Sequence, residues 1–102
     1  MFFSKNKNQI LKNKVAIITG GSRGIGKAVA VALAEQGCNI VINSRTESEL
    51  KEAEKEIESK NVDVLAIKAD VSKLSDVKKV VKESIKKFKR INILVNNAGI
   101  GP

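Results

Sequence analysis

The chain has 102 residues, and 19 Lys and Arg against 11 Asp and Glu give it a net charge of +8. This length allows one small domain, and 42% apolar residues are typical of a globular chain rather than a disordered one. With no His, Tyr or Trp and a single Cys, the sequence excludes His/Cys metal sites, disulfide frameworks, His-based triads and a tyrosine general acid.

The N-terminal residues and the longest apolar runs indicate the cellular compartment of the protein. Residues 1–12 are rich in Lys and Asn and lack the features of a secretory signal. No run approaches the ~18 apolar residues of a membrane span. Cys38 is interpreted as a small buried residue in a reducing compartment. We expect a cytoplasmic protein with no membrane partner and a flexible lead-in over residues 1–12.

From residue 13 onward, short apolar runs alternate with segments of helical periodicity. Residues 15–18 are rich in β-branched side chains and predict a buried strand. A helix is predicted over residues 24–36, with Gly37 ending it. Residues 40–42 predict a second buried strand.

The next segment carries the signals of an amphipathic helix. Thr46 and Glu49 match a capping box, in which each side chain bonds a backbone N–H near the other residue. The predicted buried stripe is Leu50, Ala53 and Ile57. Ion pairs four residues apart are predicted for Glu47 with Lys51 and Glu56 with Lys60.

The last third of the chain repeats the alternation. A third strand is predicted over residues 62–69, and Ser72 or Ser75 is expected to cap the helix that follows. A fourth buried strand is predicted over residues 93–95. The predicted buried stripe of the third helix is Val77, Val81, Ser84 with Ile85, and Phe88.

This order of elements predicts an α/β fold. Buried strands joined by helices indicate a parallel sheet with helices on both faces. Right-handed crossovers favour the strand order 3-2-1-4, which is the N-terminal half of a doubly wound Rossmann fold. We therefore expect residues 13–102 to be a partial dinucleotide-binding domain whose fourth strand has an unpaired apolar edge.

A glycine-rich turn separates the first strand from the first helix. Gly20 permits a tight turn, Gly24 lets the backbone approach phosphate oxygens, and Gly26 allows close packing of helix and strand. The positive end of the helix dipole faces the same place. We predict a diphosphate-binding site formed by Gly20, Gly21, Ser22, Arg23, Gly24, Ile25 and Gly26.

Three motifs in the same order resemble the short-chain dehydrogenase/reductase family. They are the turn Thr19-Gly20-x-x-x-Gly24-Ile25-Gly26, the pair Asp70-Val71 after the third strand, and Asn96-Asn97-Ala98-Gly99 after the fourth. The similarity runs from about residue 12 to 99, and residues 14–45 look most like the 3-oxoacyl-carrier-protein reductase branch. The resemblance implies that Asp70 and Val71 contact adenine, and that Asn97, Ala98 and Gly99 line the ribose.

The end of the second strand bears on which nicotinamide cofactor binds. A carboxylate there would hold the ribose 2′-hydroxyl of NAD, whereas a 2′-phosphate needs a cation. This strand ends in Ser44 and Arg45, and Arg23 in the glycine turn supplies a second guanidinium. Ordinary solvated arginines are the alternative. We predict NADP, with NAD less favoured.

The resemblance implies hydride transfer between a nicotinamide and a small carbonyl or alcohol substrate, in a homo-oligomer when full length. The family's Tyr-x-x-x-Lys pair lies downstream of the Asn-Asn-Ala-Gly segment, and this chain has no Tyr, so no catalytic residue is assigned. We expect a truncated cofactor-binding fragment that is inactive alone. A non-catalytic NADP(H)-binding module or a pseudogene product is the alternative. The lysine-rich third helix is interpreted as a solvated face, not a nucleic-acid site.

Overall fold

In the computed structural model, which describes residues 9–97, the four apolar runs form one parallel sheet. In chain order the elements are β1 (Val15–Thr19), α1 (Gly24–Glu35), β2 (Asn39–Ser44), α2 (Glu47–Glu58), β3 (Val64–Lys68), α3 (Leu74–Phe88) and β4 (Ile93–Val95). The strand order is β3-β2-β1-β4, and every pair is parallel, which confirms the predicted topology.

Alternate residues of the central strands pack against different helices. Ala16 and Ile18 of β1 belong to a core shared with α1 and α2, whereas Val15 and Ile17 belong to a second core shared with α3. Successive side chains of a strand point to opposite faces of the sheet. The continuous apolar runs of β1 and β2 are therefore explained by helices on both faces.

Helix α1 ends where the sequence predicts. Gly37 has φ +90°, a conformation that favours glycine. Its N–H donates to the Ala34 carbonyl at 2.9 Å, and the Cys38 N–H donates to the Leu33 carbonyl at 3.2 Å. These two bonds satisfy carbonyls at the helix end and turn the chain into β2. Cys38 is buried as expected, and burial raises the pKa of its thiol.

The described part of the lead-in, residues 9–12, lies against the end of α1. The Leu11 N–H donates to the Gln36 carbonyl at 3.0 Å, and the Leu11 side chain packs against the first core. Of the two adjacent apolar residues in this stretch, Leu11 packs against the domain, whereas Ile10 is 76% exposed. Leu11 therefore contacts the domain although it precedes the predicted domain boundary at residue 13.

The predicted capping box of α2 is wrong. Thr46 is the N-cap residue, but its side chain makes no capping hydrogen bond. The Glu49 carboxylate instead contacts Ser22 and Arg23 in the glycine turn. For Glu49, contacts with the glycine turn, which the tertiary fold brings close, replace the local bond to the Thr46 backbone.

The predicted caps of α3 are also wrong. The N-cap residue is Lys73, with no side-chain capping bond. The Ser72 hydroxyl donates instead to Asp70 Oδ1 at 2.7 Å. Ser and Asp side chains readily bond nearby backbone and side-chain groups, and here those bonds form a turn ahead of the helix.

Ion pairs join α1 to α2 rather than residues within α2. Lys27 Nζ lies 2.9 Å from Glu56 Oε1, and Lys60 Nζ lies 3.4 Å from Glu35 Oε2. The two helices pack on the same face of the sheet, so these long side chains find partners across the helix interface. The predicted pairs four residues apart, Glu47 with Lys51 and Glu56 with Lys60, are absent among the described residues.

The stripe of α3 that meets the sheet is shifted from the predicted one, because Val80, which the prediction left out, is its buried apolar residue. Val80 and Ser84 are buried, and the Ser84 hydroxyl donates to the Val80 carbonyl at 2.6 Å. Val81 and Ile85 are each 44% exposed, although the stripe predicts their burial. Periodicity identifies an apolar arc, but the position of the helix over the sheet decides which part of the arc is covered.

Strand β4 is at the edge of the sheet formed by residues 9–97. Ile93 and Val95 pack against the first core. Leu94 pairs with Ile17 of β1 but is 66% exposed, and Ile93 and Val95 are only half-buried, so the prediction that the fourth strand is buried is wrong. The reason is that the second core, which includes Val80 of α3, draws its buried strand residues from β1, β2 and β3.

Candidate dinucleotide-binding site

An open cleft of about 670 Å³ lies where the strands end. Its lining comes from segments at the carboxyl ends of all four strands, the edge at which open parallel sheets bind ligands. Of the predicted site residues, the lining includes Gly20, Ser22, Arg23, Gly24, Ile25, Ser44, Arg45, Asp70, Val71 and Asn97. Gly21 and Gly26 are not in the lining, and Ala98 and Gly99 are outside the described residues.

Gly24 leaves the backbone at the start of α1 open to the cleft. It has φ +58°, and a Cβ built at this position would meet no atom within 4 Å. No side chain caps the N-terminus of α1, and its first turn has no acidic residue. A helix N-terminus of this kind presents N–H groups and a positive dipole to an anion. This geometry fits a diphosphate.

Gly21 and Gly26 are required for close packing behind the cleft. A Cβ at Gly26 would lie 2.5 Å from the Gly20 carbonyl oxygen, and one at Gly21 would lie 2.6 Å from Ile42 Cγ2. Neither glycine has a positive φ. Their role is therefore steric, as the sequence predicts for Gly26.

Asn97 connects the end of β4 to the glycine turn. Its N–H donates to Thr19 Oγ1 at 2.9 Å, and its Nδ2 donates to the Gly20 carbonyl at 3.2 Å. Thr19 Oγ1 also lies 3.3 Å from Asn96 Oδ1. Asn96 therefore ties the strand to its neighbour, while Asn97 lines the cleft and also holds the turn in place.

The two arginines predicted to act together line the same cleft. Arg23 follows β1 and Arg45 follows β2, and both side chains are accessible. Ser44 Oγ accepts the Thr46 N–H at 3.1 Å, which holds the chain between β2 and α2 in a turn. The lining of the cleft thus includes two guanidinium groups and the Ser44 hydroxyl, and β2 itself ends without a carboxylate.

Asp70 is an ionised residue of the cleft. The Ser72 hydroxyl and N–H both donate to its Oδ1, at 2.7 and 2.9 Å. These hydrogen bonds, with a smaller contribution from the charge of Arg45, hold the pKa of Asp70 below its usual value. A depressed carboxyl pKa means that the turn is most stable above the ordinary pKa and weakens as pH falls through the lower one.

Asn43 and Glu49 line the cleft although the sequence analysis did not select them. Asn43 is 1% exposed, and its Oδ1 accepts the Gly20 N–H at 3.4 Å. Its buried Nδ2 has no hydrogen-bond partner in the described part of the chain. A polar residue directly after the apolar run of β2, still inside the strand, is the signal that could have identified it, because a buried amide needs partners.

Membrane and metal sites were also sought among residues 9–97. None of the three helices combines the length and the hydropathy that crossing a bilayer requires. The same residues contain no cluster of three or more His, Cys, Asp or Glu side chains placed to hold a metal ion.

Comparison with known proteins gives consistent matches. Residues 14–102 match the family model described as short chain dehydrogenase. The 3-oxoacyl-(acyl-carrier-protein) reductase FabG of Staphylococcus epidermidis is 45% identical over 89 residues, which cover 86% of this chain and 36% of that protein. The protein of the same name from Staphylococcus aureus is 46% identical over 88 residues, with 85% and 36% covered.

A solved structure agrees in fold as well as in sequence. An NAD⁺-bound xylitol dehydrogenase has a TM-score of 0.85 and 32% identity, and the match covers 87% of this chain and 34% of that one. The chain therefore spans about a third of the length of the relatives that it matches.

Proposed function

The chain belongs to the short chain dehydrogenase family, and from this premise we propose that it is the dinucleotide-binding part of an NADP-dependent oxidoreductase. The observation that supports NADP is the placement of Arg23 and Arg45 on one cleft beside the glycine turn. Two guanidinium groups suit a ribose 2′-phosphate, whereas a carboxylate at the end of β2 would repel it.

The residues of the cleft divide into three groups by the part of NADP that each would hold. The backbone from Gly20 to Gly24 and the start of α1 would bind the diphosphate. Arg23, Ser44 and Arg45 would bind the 2′-phosphate. Asp70, Val71 and Asn97 would hold the adenosine. Ala98 and Gly99, which lie outside the described residues, are proposed for the same part of NADP from the family resemblance alone.

When bound, the nicotinamide supplies or accepts a hydride. The proposed substrate is a small carbonyl or alcohol, and the name of the Staphylococcus epidermidis relative makes 3-oxoacyl-carrier-protein reduction a specific candidate. The 102 residues contain no Tyr, the residue that we expect to transfer the proton in this family. We expect this chain to bind NADP and not to turn over substrate.

The compartment and assembly of the protein are part of the same proposal. A free, buried Cys38 is compatible with a reducing, cytoplasmic compartment. Homo-oligomer formation by the full-length protein is proposed from the family resemblance.

The test is the substitution Arg45→Asp, with the dissociation constants of NADP and NAD measured by titration calorimetry. Charge-assisted hydrogen bonds contribute about 1.5–3 kcal/mol, so NADP affinity is expected to fall roughly 10- to 100-fold. NAD affinity is expected to change little, because NAD has no 2′-phosphate.

Arg90→Asp provides the matched control. Arg90 is exposed and does not line the cleft, so this variant makes the same charge change elsewhere. Equal losses of NADP and NAD affinity in Arg45→Asp would contradict the proposed cofactor. A wild-type protein that binds NAD as tightly as NADP would contradict it as well.

A further inference from the structure

Glu49 bridges two residues of the glycine turn from the neighbouring helix. Its Oε1 accepts the Ser22 hydroxyl at 3.4 Å, and its Oε2 lies 3.8 Å from Arg23 Nη1. The Glu49 side chain is 35% exposed, against 81% for Arg23. The carboxylate is thus the more enclosed partner, and it contacts the guanidinium proposed to meet the 2′-phosphate.

The position of the Glu49 carboxylate is not the one that its own helix favours. A capping box would direct it back to the Thr46 backbone N–H, but no side-chain cap forms at Thr46. The Thr46 N–H donates instead to Ser44 Oγ. Departures from local rules of this kind are concentrated at functional sites.

Each arginine of the cleft has a nearby carboxylate. The charge of Arg45 contributes to the lowered pKa of Asp70, and Arg23 pairs with Glu49. An exposed arginine loses much rotamer freedom when it binds a ligand, and a partner that already restricts it reduces this loss. Glu49 is in position to restrict the Arg23 side chain before a ligand binds.

Repulsion between the Glu49 carboxylate and a bound phosphate would weaken phosphate binding. The solvent around these partly exposed groups screens it. A guanidinium also has five N–H donors, and the observed contact involves Nη1 alone. Arg23 can therefore keep its contact with Glu49 and still donate to a phosphate.

We propose that Glu49 is a positioning residue that orients Arg23 for the 2′-phosphate and so increases the preference for NADP over NAD. This inference rests on the proposed function. It adds a residue outside the glycine turn and the β2 end to the determinants of cofactor choice.

The test compares Glu49→Gln and Glu49→Ala with the full wild-type chain. Affinities for NADP, NAD, adenosine 2′,5′-bisphosphate and AMP are measured by calorimetry. An exposed ion pair contributes modestly, so Glu49→Gln is expected to weaken both 2′-phosphorylated ligands about two- to fivefold. NAD and AMP are expected to change less than the 2′-phosphorylated ligands, and Glu49→Ala is expected to have the larger effect.

Glu47→Gln is the matched control, because Glu47 is in the same first turn, is exposed and does not line the cleft. It removes the same charge and is expected to leave the NADP/NAD ratio unchanged. In an Arg23→Gln background, Glu49→Gln is expected to have no further effect on the ratio, since Glu49 acts through Arg23. Circular dichroism and the thermal midpoint establish that each variant is folded.

The outcomes separate this inference from the proposed function. If the wild type prefers NADP and Glu49→Gln keeps or increases that preference, the positioning role is overturned and the proposed function stands. An effect of Glu49→Gln that persists undiminished without Arg23 also overturns it. A wild type with no preference for NADP overturns the proposed function and this inference together.

Discussion

Gly24 and Gly26, two residues apart at the start of α1, are required for opposite reasons. Gly24 has a positive φ and open space where a side chain would be, whereas a Cβ at Gly26 would lie 2.5 Å from the Gly20 carbonyl oxygen. The first position leaves room for a ligand, and the second leaves room for the protein's own backbone. Alanine substitutions at these two positions are therefore expected to have different effects.

Gly26→Ala is expected to lower the free energy of unfolding by roughly 1–3 kcal/mol, as overpacked positions do. The clash involves Asn97 Nδ2 and the Gly20 carbonyl oxygen, and the backbone oxygen cannot move aside as a flexible side chain can. Gly24→Ala is expected to cost about 1–2 kcal/mol for its left-handed backbone, and also to reduce NADP affinity because the methyl group enters open space at the cleft. Urea unfolding and calorimetry measure the two effects. An unchanged unfolding midpoint for Gly26→Ala would show that the packing argument is wrong.

At the scale of the element, helices α2 and α3 both begin without a side-chain cap. Their polar residues bond elsewhere: Glu49 contacts the glycine turn, and the Ser72 hydroxyl donates to Asp70. Both helices start at the edge of the cleft. The groups that usually stabilise a helix start are therefore part of the loops that shape the site.

Thr46→Ala is expected to change the free energy of unfolding by less than about 0.5 kcal/mol, the range of neutral surface substitutions. An N-cap threonine whose hydroxyl accepts a backbone N–H contributes about 1 kcal/mol to the free energy of unfolding. Ser44→Ala is expected to cost roughly 0.5–1 kcal/mol, because its hydroxyl accepts the Thr46 N–H. Thermal unfolding measures both. A loss of 1 kcal/mol or more in Thr46→Ala would mean that the capping bond forms after all.

At the scale of the whole molecule, the two faces of the sheet are covered unequally. Helices α1 and α2 cover one face, and α3 covers the other over β1, β2 and β3. Leu94, Val81 and Ile85 remain exposed, at 66%, 44% and 44%. An exposed apolar edge strand favours association between chains.

Leu94→Lys is expected to reduce self-association of the 102-residue chain, measured by sedimentation velocity across a concentration series. A lysine on an edge strand opposes pairing with another edge. Because Leu94 is largely exposed, the free energy of unfolding is expected to change by only about 0.5 kcal/mol. Ile10→Lys is the control, since Ile10 is 76% exposed and is not part of β4. Equal self-association of Leu94→Lys and the wild type would contradict this prediction.

The sequence by itself determined the strand order, the burial of β1 and β2 on both faces, the end of α1 at Gly37 and the steric role of Gly26. The strand burial and the helix end follow from periodicity and turn chemistry, which act over a few residues. The strand order follows from the right-handedness of crossovers, and the role of Gly26 from the position of the glycine turn between a strand and a helix. Only the tertiary structure decided that Glu49 contacts Ser22, 27 residues away, and that Asn97 holds Gly20, 77 residues away. It also decided which half of the apolar arc of α3 meets the sheet. A side chain bonds to the groups that lie near it in the folded protein. Which groups of distant residues lie near is determined by the packing of helices on the sheet, not by the local sequence pattern.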